Sequence, residues 1–88
     1  MVKIEEILEL IERMRIKIDK YKHDFANEML VRYVLVDPLL RVLGWDTEDP
    51  DQVYPEYSTQ QGRVDYALKI DKTIKVFIEV KTLGGLND

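Results

Sequence analysis

Two alternating runs of residues constrain the fold more than any other feature of this sequence. Residues 64–70 and 74–81 each alternate apolar side chains with other types, and both are rich in β-branched and aromatic residues. A period of two over such runs predicts two strands of a β-hairpin. The turn between them is expected around Asp71-Lys72-Thr73.

The side chains also predict the register of this hairpin. A two-residue loop at Asp71-Lys72 would place Val64 opposite Glu79 and mix apolar with charged positions. A three-residue loop instead places Val64 opposite Val80 and gives one apolar face, which a slip of one residue would destroy. The other pairs on that face would be Ile70 with Ile74, Leu68 with Val76, and Tyr66 with Ile78.

The opposite face of the predicted hairpin carries charged residues. Asp65 would lie across from Glu79, and Lys81 follows two residues later on the same side. Two carboxylates in such positions repel, whereas a divalent cation held between them makes the arrangement favourable. With Lys81 to hold an anionic substrate or polarise a water, these residues predict phosphodiester cleavage assisted by Mg²⁺ or Mn²⁺. The alternative is a structural ion pair of Lys81 with Glu79 or Asp65.

These residues resemble the catalytic motif of the PD-(D/E)xK nuclease superfamily, the fold of many restriction endonucleases. The resemblance extends roughly from Phe25 to Lys81, and more narrowly these residues are similar to the N-terminal nuclease domain of type I restriction enzyme restriction subunits and its stand-alone relatives. Val64 stands where the superfamily motif has proline. The similar blocks are Asn27-Glu28 with Val31-Arg32, Asp37-Pro38-Leu39-Leu40, Leu43-Gly44-Trp45-Asp46, Gly62-Arg63-Val64-Asp65-Tyr66-Ala67-Leu68 and Ile78-Glu79-Val80-Lys81.

The resemblance implies a role for each residue of the motif. Asp65 and Glu79 would hold the metal ion together with the main-chain carbonyl of Val80, and Lys81 would position or activate the attacking water. The activity implied is hydrolysis of DNA phosphodiester bonds, as in restriction-modification. The alternative is a non-catalytic nuclease-fold module that binds nucleic acid or a protein partner.

Two further charged residues are candidates for this site. The resemblance implies that Glu28, on the helix before the sheet, completes the metal site, whereas its own spacing allows an i,i+4 ion pair with Arg32. Arg63 has the parity of Asp65 along its strand, so it is a candidate phosphate contact. It is equally a candidate ion-pair partner of Asp65 or Glu79.

The N-terminal part of the sequence predicts an amphipathic helix from Val2 to about Lys22. Its apolar residues recur at spacings of three and four, which predicts a buried stripe. The stripe consists of Ile4, Ile7, Leu8, Ile11, Met14 and Ile18. Lys17 and Lys20 belong to a second, basic stripe, which either follows a DNA backbone or forms a solvated face paired with nearby acids.

Capping residues predict where the next elements begin. Asp24 is the expected N-cap of a second helix, and Asp37 with Pro38 is expected to start a short third helix that ends at Gly44. The first strand is expected at residues 53–58, where Pro55 indicates an edge strand or a bulge.

These elements predict a single domain over residues 1–88 of the α/β (α+β) class. The expected architecture is a restriction endonuclease-like core with N-terminal helices packed on a three-stranded antiparallel sheet. The sequence ends at Asp88, where the family pattern continues with a further helix and strand. We therefore expect a fragment of a longer nuclease, with further domains, or a homodimer that completes the sheet.

Composition narrows the remaining possibilities. The sequence contains no cysteine, which excludes disulfides and thiolate metal sites. It has no apolar run long enough for a membrane span and no signal peptide, so the expectation is a cytoplasmic protein without a membrane partner. The net charge of −4 argues mildly against nucleic acid. Five basic residues nevertheless fall close together: Arg13, Arg15, Lys17, Lys20 and Lys22.

Overall fold

The computed structural model describes residues 3–82 and divides the chain into two compact units. Of the described residues, one unit contains 3–44 and 80–82, and the other is Trp45–Glu79. The first unit contains the helices and the second contains a three-stranded antiparallel sheet, so the predicted α+β class is confirmed. Within residues 3–82, no helix is long and apolar enough to cross a membrane.

The first helix, α1, spans Ile4–Lys20, as its periodicity predicts. The prediction that its apolar stripe is buried is wrong for three of the six residues, whereas Ile7, Met14 and Ile18 are half-buried. Ile4, Leu8 and Ile11 are 71%, 59% and 51% exposed, and the buried residue of α1 is Leu10. Periodicity identifies the apolar side of a helix, but the neighbouring elements decide which side is covered.

The second helix, α2, spans Glu28–Val31 and is capped by Asn27. The Asn27 side-chain oxygen accepts hydrogen bonds from the backbone N–H groups of Met29 (2.9 Å) and Leu30 (3.3 Å). The predicted N-cap, Asp24, instead begins a 3₁₀ turn at Asp24–Ala26. This turn delays the start of α2, so the cap lies three residues later than the sequence predicts.

Helical structure runs without a break into the third helix, which Asp37 and Pro38 were expected to start. A π-helical turn at Arg32–Val36 leads directly into α3, Asp37–Val42. Asp37 has helical angles (φ −60°, ψ −46°), and its N–H donates to the Arg32 carbonyl, so its predicted role as N-cap is wrong. Pro38 has no N–H and its ring crowds the preceding turn, and the wider π turn relieves that crowding. Gly44, with φ 101°, follows the end of α3 as predicted.

The sheet has the strand order β1-β2-β3, with β1 at Val53–Thr59, β2 at Gly62–Ile70 and β3 at Thr73–Ile78. The strand β1 is an edge strand, as Pro55 predicts. The backbone of β1 is irregular at Glu56, which has φ 53° and falls between the paired residues Pro55 and Tyr57.

The turn between β2 and β3 contains two residues, so the predicted three-residue loop is wrong. Ile70 pairs with Thr73, and the intervening Asp71 and Lys72 have φ values of 51° and 64°. Positive φ at both central residues matches the twist of a two-residue hairpin, which overrides the preference of these side chains for negative φ.

A β-bulge restores the register that the sequence predicts. Lys69 pairs with Ile74, but Leu68 pairs with Val76, so Lys75 is an extra residue on β3. On the side of the bulge away from the turn, the apolar pairs are therefore those that the alternation predicts. The loop length and the pair Ile70–Ile74 were predicted wrongly. The pairs Leu68–Val76 and Tyr66–Ile78 were predicted correctly, because turn and bulge together also contain three unpaired residues.

Each unit has its own buried residues. In the helical unit these are Leu10, Phe25, Val31, Arg32, Leu40 and Val80, and in the sheet unit they are Val53, Tyr66, Ala67 and Leu68. Phe25 is 1% exposed and is the largest fully buried side chain.

Candidate functional site

The acidic residues Asp65 and Glu79 flank the end of the β2–β3 ladder. The last pair of the ladder is Tyr66 opposite Ile78, so Asp65 and Glu79 are the next residue on each side. Glu79 lies one residue beyond the end of β3. Asp65 is half-buried and Glu79 is exposed. The predicted juxtaposition of the two acids thus extends the observed register by one residue.

Alternating exposure continues beyond the end of β3. Ile78 is half-buried, Glu79 is exposed, Val80 is buried and Lys81 is exposed. Glu79 and Lys81 are thus both accessible to solvent, with the buried Val80 between them. Asp65 and Glu79 belong to the sheet unit, whereas Val80 and Lys81 belong to the helical unit.

A third acidic residue, Glu56, lies on β1, the strand that pairs with β2 on the side away from β3. Pro55 pairs with Tyr66 and Tyr57 with Val64, so Glu56 is the β1 residue opposite Asp65. The Glu56 carboxylate lies 3.8 Å from the Arg63 guanidinium, and both side chains are well exposed. Arg63, predicted to contact phosphate or to pair with Asp65 or Glu79, thus forms an ion pair with Glu56.

The donor atoms of Asp65 and Glu79 fit a hard divalent cation. Mg²⁺ is commonly held by one or two carboxylates, with water and phosphate oxygens in the remaining positions. Among residues 3–82, no group of three or more His, Cys, Asp or Glu side chains could hold a metal ion. The two carboxylates, and the main-chain carbonyl of Val80 that the resemblance adds, remain a predicted ligand set.

Glu28 lies in the helical unit, at the first residue of α2, and is exposed. The alternative partner suggested by its spacing, Arg32, is only 5% exposed. The Arg32 guanidinium donates a hydrogen bond to the Met29 sulfur at 3.7 Å. A buried arginine at the start of a π-helical turn is a feature that the amphipathic pattern did not indicate.

The basic candidates Lys17 and Lys20 lie in the last turn of α1 and are exposed. The Lys20 ammonium is 5.2 Å from the centroid of the Tyr21 ring. Lys17 borders a groove of about 770 Å³ within the helical unit. The other residues lining this groove are Tyr21, His23, Asp24, Phe25, Ala26, Asn27, Leu30 and Val34.

An aromatic cluster, formed by Tyr54, Tyr57 and Phe77, lies in the sheet unit. The ring centroids of Tyr54 and Tyr57 are 5.6 Å apart in an edge-to-face arrangement, and those of Tyr57 and Phe77 are 6.1 Å apart and stacked. The Lys69 ammonium is 4.9 Å from the Tyr54 centroid. Tyr54 and Phe77 are the cross-strand partners of Ala67, which is fully buried and shares its face of β2 with Asp65.

Sequence reasoning missed this cluster because the alternation of β1 is broken. Tyr54 and Tyr57 are three residues apart and would occupy opposite faces of a regular strand. The positive φ of Glu56 interrupts that regularity. The Tyr57 ring therefore contacts both the Tyr54 ring and the Phe77 ring. Pro55, which indicates an irregular edge strand, was the available signal.

Comparison with protein-family models, with curated proteins and with solved structures gives no match for this chain. Proposals about its function therefore depend on its own residues and their arrangement.

Proposed function

We propose that this chain is a metal-dependent nuclease of the restriction endonuclease-like fold that hydrolyses DNA phosphodiester bonds. The observation that carries the proposal is the register of the β2–β3 hairpin, which ends immediately before Asp65 and Glu79. A hairpin selected only for stability would avoid neighbouring carboxylates, because like charges across strands are destabilising.

The carboxylates of Asp65 and Glu79 and the main-chain carbonyl of Val80 would hold Mg²⁺ or Mn²⁺. The ion would supply charge stabilisation at the phosphate and a lowered pKa for the attacking water. The ammonium of Lys81 would position or activate that water. The water would give up one proton to solvent as its oxygen bonds to phosphorus. The bond from phosphorus to the leaving oxygen would break, and the leaving oxygen would take up a proton from solvent.

The resemblance adds Glu28 as a third acidic residue of the metal site. Its exposure at the start of α2 leaves its carboxylate accessible to solvent. Lys17, Lys20 and Arg63 are proposed contacts to the DNA backbone. Of these, Arg63 would have to exchange its ion pair with Glu56 for a phosphate, and an exposed pair of this kind is weak.

A second candidate function is a nuclease-fold module that binds nucleic acid without cutting it. The aromatic cluster favours this candidate, because Tyr54 and Phe77 are 42% and 50% exposed on the face that carries Asp65. Exposed rings beside a cation such as Lys69 are typical of surfaces on which nucleobases stack.

Calorimetric titration with Mg²⁺ and Mn²⁺ tests the nuclease proposal. Wild type should bind the ion saturably, and Asp65→Asn should abolish binding while preserving the shape of the side chain. Asp51→Asn is the matched control, because Asp51 is an exposed carboxylate shortly before β1, in the same unit. Absence of metal binding in wild type, or equal loss in both variants, would refute the assigned site.

A plasmid-nicking assay then separates catalysis from binding. Lys81→Gln should retain metal binding but lose nicking, whereas Lys75→Gln, which removes an exposed lysine from β3, should nick normally. If wild type binds the metal but does not nick DNA, the non-catalytic candidate is tested by DNA binding. Salt-sensitive DNA binding that survives Asp65→Asn would support that candidate. Loss of that binding in Phe77→Ser would assign it to the aromatic cluster.

A further inference from the structure

The aromatic cluster extends across the middle strand of the sheet. Tyr57 lies on β1 and Phe77 on β3, so the backbones that carry these rings are at least about 9 Å apart, with β2 between them. The ring centroids are only 6.1 Å apart, so the two side chains lean toward each other across β2. Ala67, the cross-strand partner of Tyr54 and Phe77, is fully buried, whereas these two rings remain about half exposed. The cluster thus covers β2 and still presents ring surface to solvent.

Charged side chains flank the cluster along β2. Asp65, Ala67 and Lys69 alternate along this strand, so Asp65 precedes and Lys69 follows the buried alanine on one face. The Lys69 ammonium lies 4.9 Å from the Tyr54 centroid and 6.0 Å from the Tyr57 centroid. At about 3.3 Å per residue, Asp65 and Lys69 are each about 7 Å along the strand from Ala67. This face therefore presents a carboxylate, exposed rings and a cation in that order.

We propose that the aromatic cluster is a subsite for one unpaired base of single-stranded DNA, so that the substrate of the nuclease is a single strand rather than a duplex. In a duplex the faces of each base are covered by its neighbours, whereas an unpaired base can stack on a protein ring. One phosphate flanking that base would lie near Lys69, and the other near the metal ion at Asp65. The position of the second phosphate rests on the proposed function, whereas the stacking and the contact with Lys69 do not.

Exposed aromatic rings also attract protein partners, but the charges of this face favour a nucleotide. Aromatic residues are enriched at the centre of protein interfaces, whereas lysine and acidic residues are depleted there. Here the Lys69 ammonium lies against the rings, and Asp65 lies on the same face. A bound metal ion would offset the negative charge of Asp65 and Glu79, and Glu56 is paired with Arg63. A nucleotide matches this surface because it joins an aromatic base to an anion.

Fluorescence anisotropy with a labelled oligonucleotide measures the stacking separately from cleavage. Lys81→Gln in Mg²⁺ is the reference chain, because it is expected to bind the metal without cutting, and it should bind a single strand more tightly than a duplex. In this chain Phe77→Leu, which keeps an apolar side chain but removes the ring, should raise the Kd for the single strand at least about fivefold. The Kd for an abasic strand of the same length should not change. Tyr33→Leu is the matched control and should change neither Kd, because Tyr33 is a 62% exposed ring of the helical unit.

Two results of this assay would overturn the proposal. One is a single strand that binds no better than the duplex. The other is an equal loss of affinity for the normal and abasic strands in Phe77→Leu, since a loss that does not require the base is not a loss of stacking.

The salt dependence of binding tests the contact between Lys69 and a phosphate. Lys69→Gln should reduce the slope of log Kd against log salt concentration by about 0.7, the contribution of one phosphate contact in a single strand. Lys75→Gln is the matched control, because Lys75 is an exposed lysine of the same hairpin, and it should leave the slope nearly unchanged. An unchanged slope in Lys69→Gln would contradict the proposed path of the strand.

The position of cleavage tests the distance between the subsite and the metal. Wild type in Mg²⁺ should cut a strand that carries one base among abasic positions within about two nucleotides of that base, because Asp65 is about 7 Å from Ala67. Cuts spread evenly along the strand would overturn the subsite and leave the nuclease in place. Binding that depends on both Phe77 and the base, without any cleavage, would refute the nuclease and retain the stacking site.

Discussion

The β2–β3 turn provides a quantitative test of how the backbone positions the candidate site. Lys72 has φ 64°, in the left-handed region. Left-handed conformation costs an L-residue about 1–2 kcal/mol. Glycine avoids that strain but loses about 0.5–1 kcal/mol of additional conformational entropy on folding. Lys72→Gly should therefore raise the free energy of unfolding by about 0.5–1 kcal/mol.

Urea unfolding followed by Trp45 fluorescence measures this change. Trp45 is the only tryptophan of the chain and belongs to the sheet unit. The expected gain raises the urea midpoint by about 0.2–1 M. Lys75→Gly is the control, because it removes a lysine of the same hairpin without relieving positive φ, and it should lower the midpoint. If Lys72→Gly lowers the midpoint as Lys75→Gly does, the two-residue turn and the strain argument are both refuted.

The helical unit gives three further predictions. Asn27→Ala should destabilise the protein by about 1 kcal/mol in thermal unfolding through loss of the cap, whereas Asp24→Ala should change stability by less than about 0.5 kcal/mol; equal effects would contradict the assigned cap. Phe25→Ala should lower the free energy of unfolding by about 3–5 kcal/mol, because it removes a large, fully buried side chain. Chemical denaturation should show a much smaller loss for Phe25→Leu. Hydrogen bonding and charge from Arg15 hold the pKa of Glu12 below its ordinary value of 4.5. The stability that this pair contributes is therefore fully present above that value and is lost as the pH falls through the lowered pKa. A titration of helical ellipticity should show a smaller acid-induced loss in Glu12→Gln than in wild type.

Local sequence determined the type and approximate extent of most elements. The helical spacing of Ile4 to Ile18 predicted α1, and the alternation in residues 64–70 and 74–81 predicted β2 and β3. Such patterns suffice because helix and strand expose side chains at periods fixed by backbone geometry. The same alternation predicted that Asp65 and Glu79 are neighbours at the end of the hairpin, since only one register keeps its apolar residues on one face.

Tertiary structure decided the features that depend on contacts distant in sequence or on the path of the backbone. It placed the cap at Asn27 and exposed the stripe of α1 that periodicity alone would bury. Positive φ at Glu56 brought the rings of Tyr54 and Tyr57 together, against the alternation of their strand. Periodicity records which residues share a side of an element. The free energy of packing the whole chain decides which side is covered and where the backbone departs from regularity. Each local preference contributes only a part of that free energy.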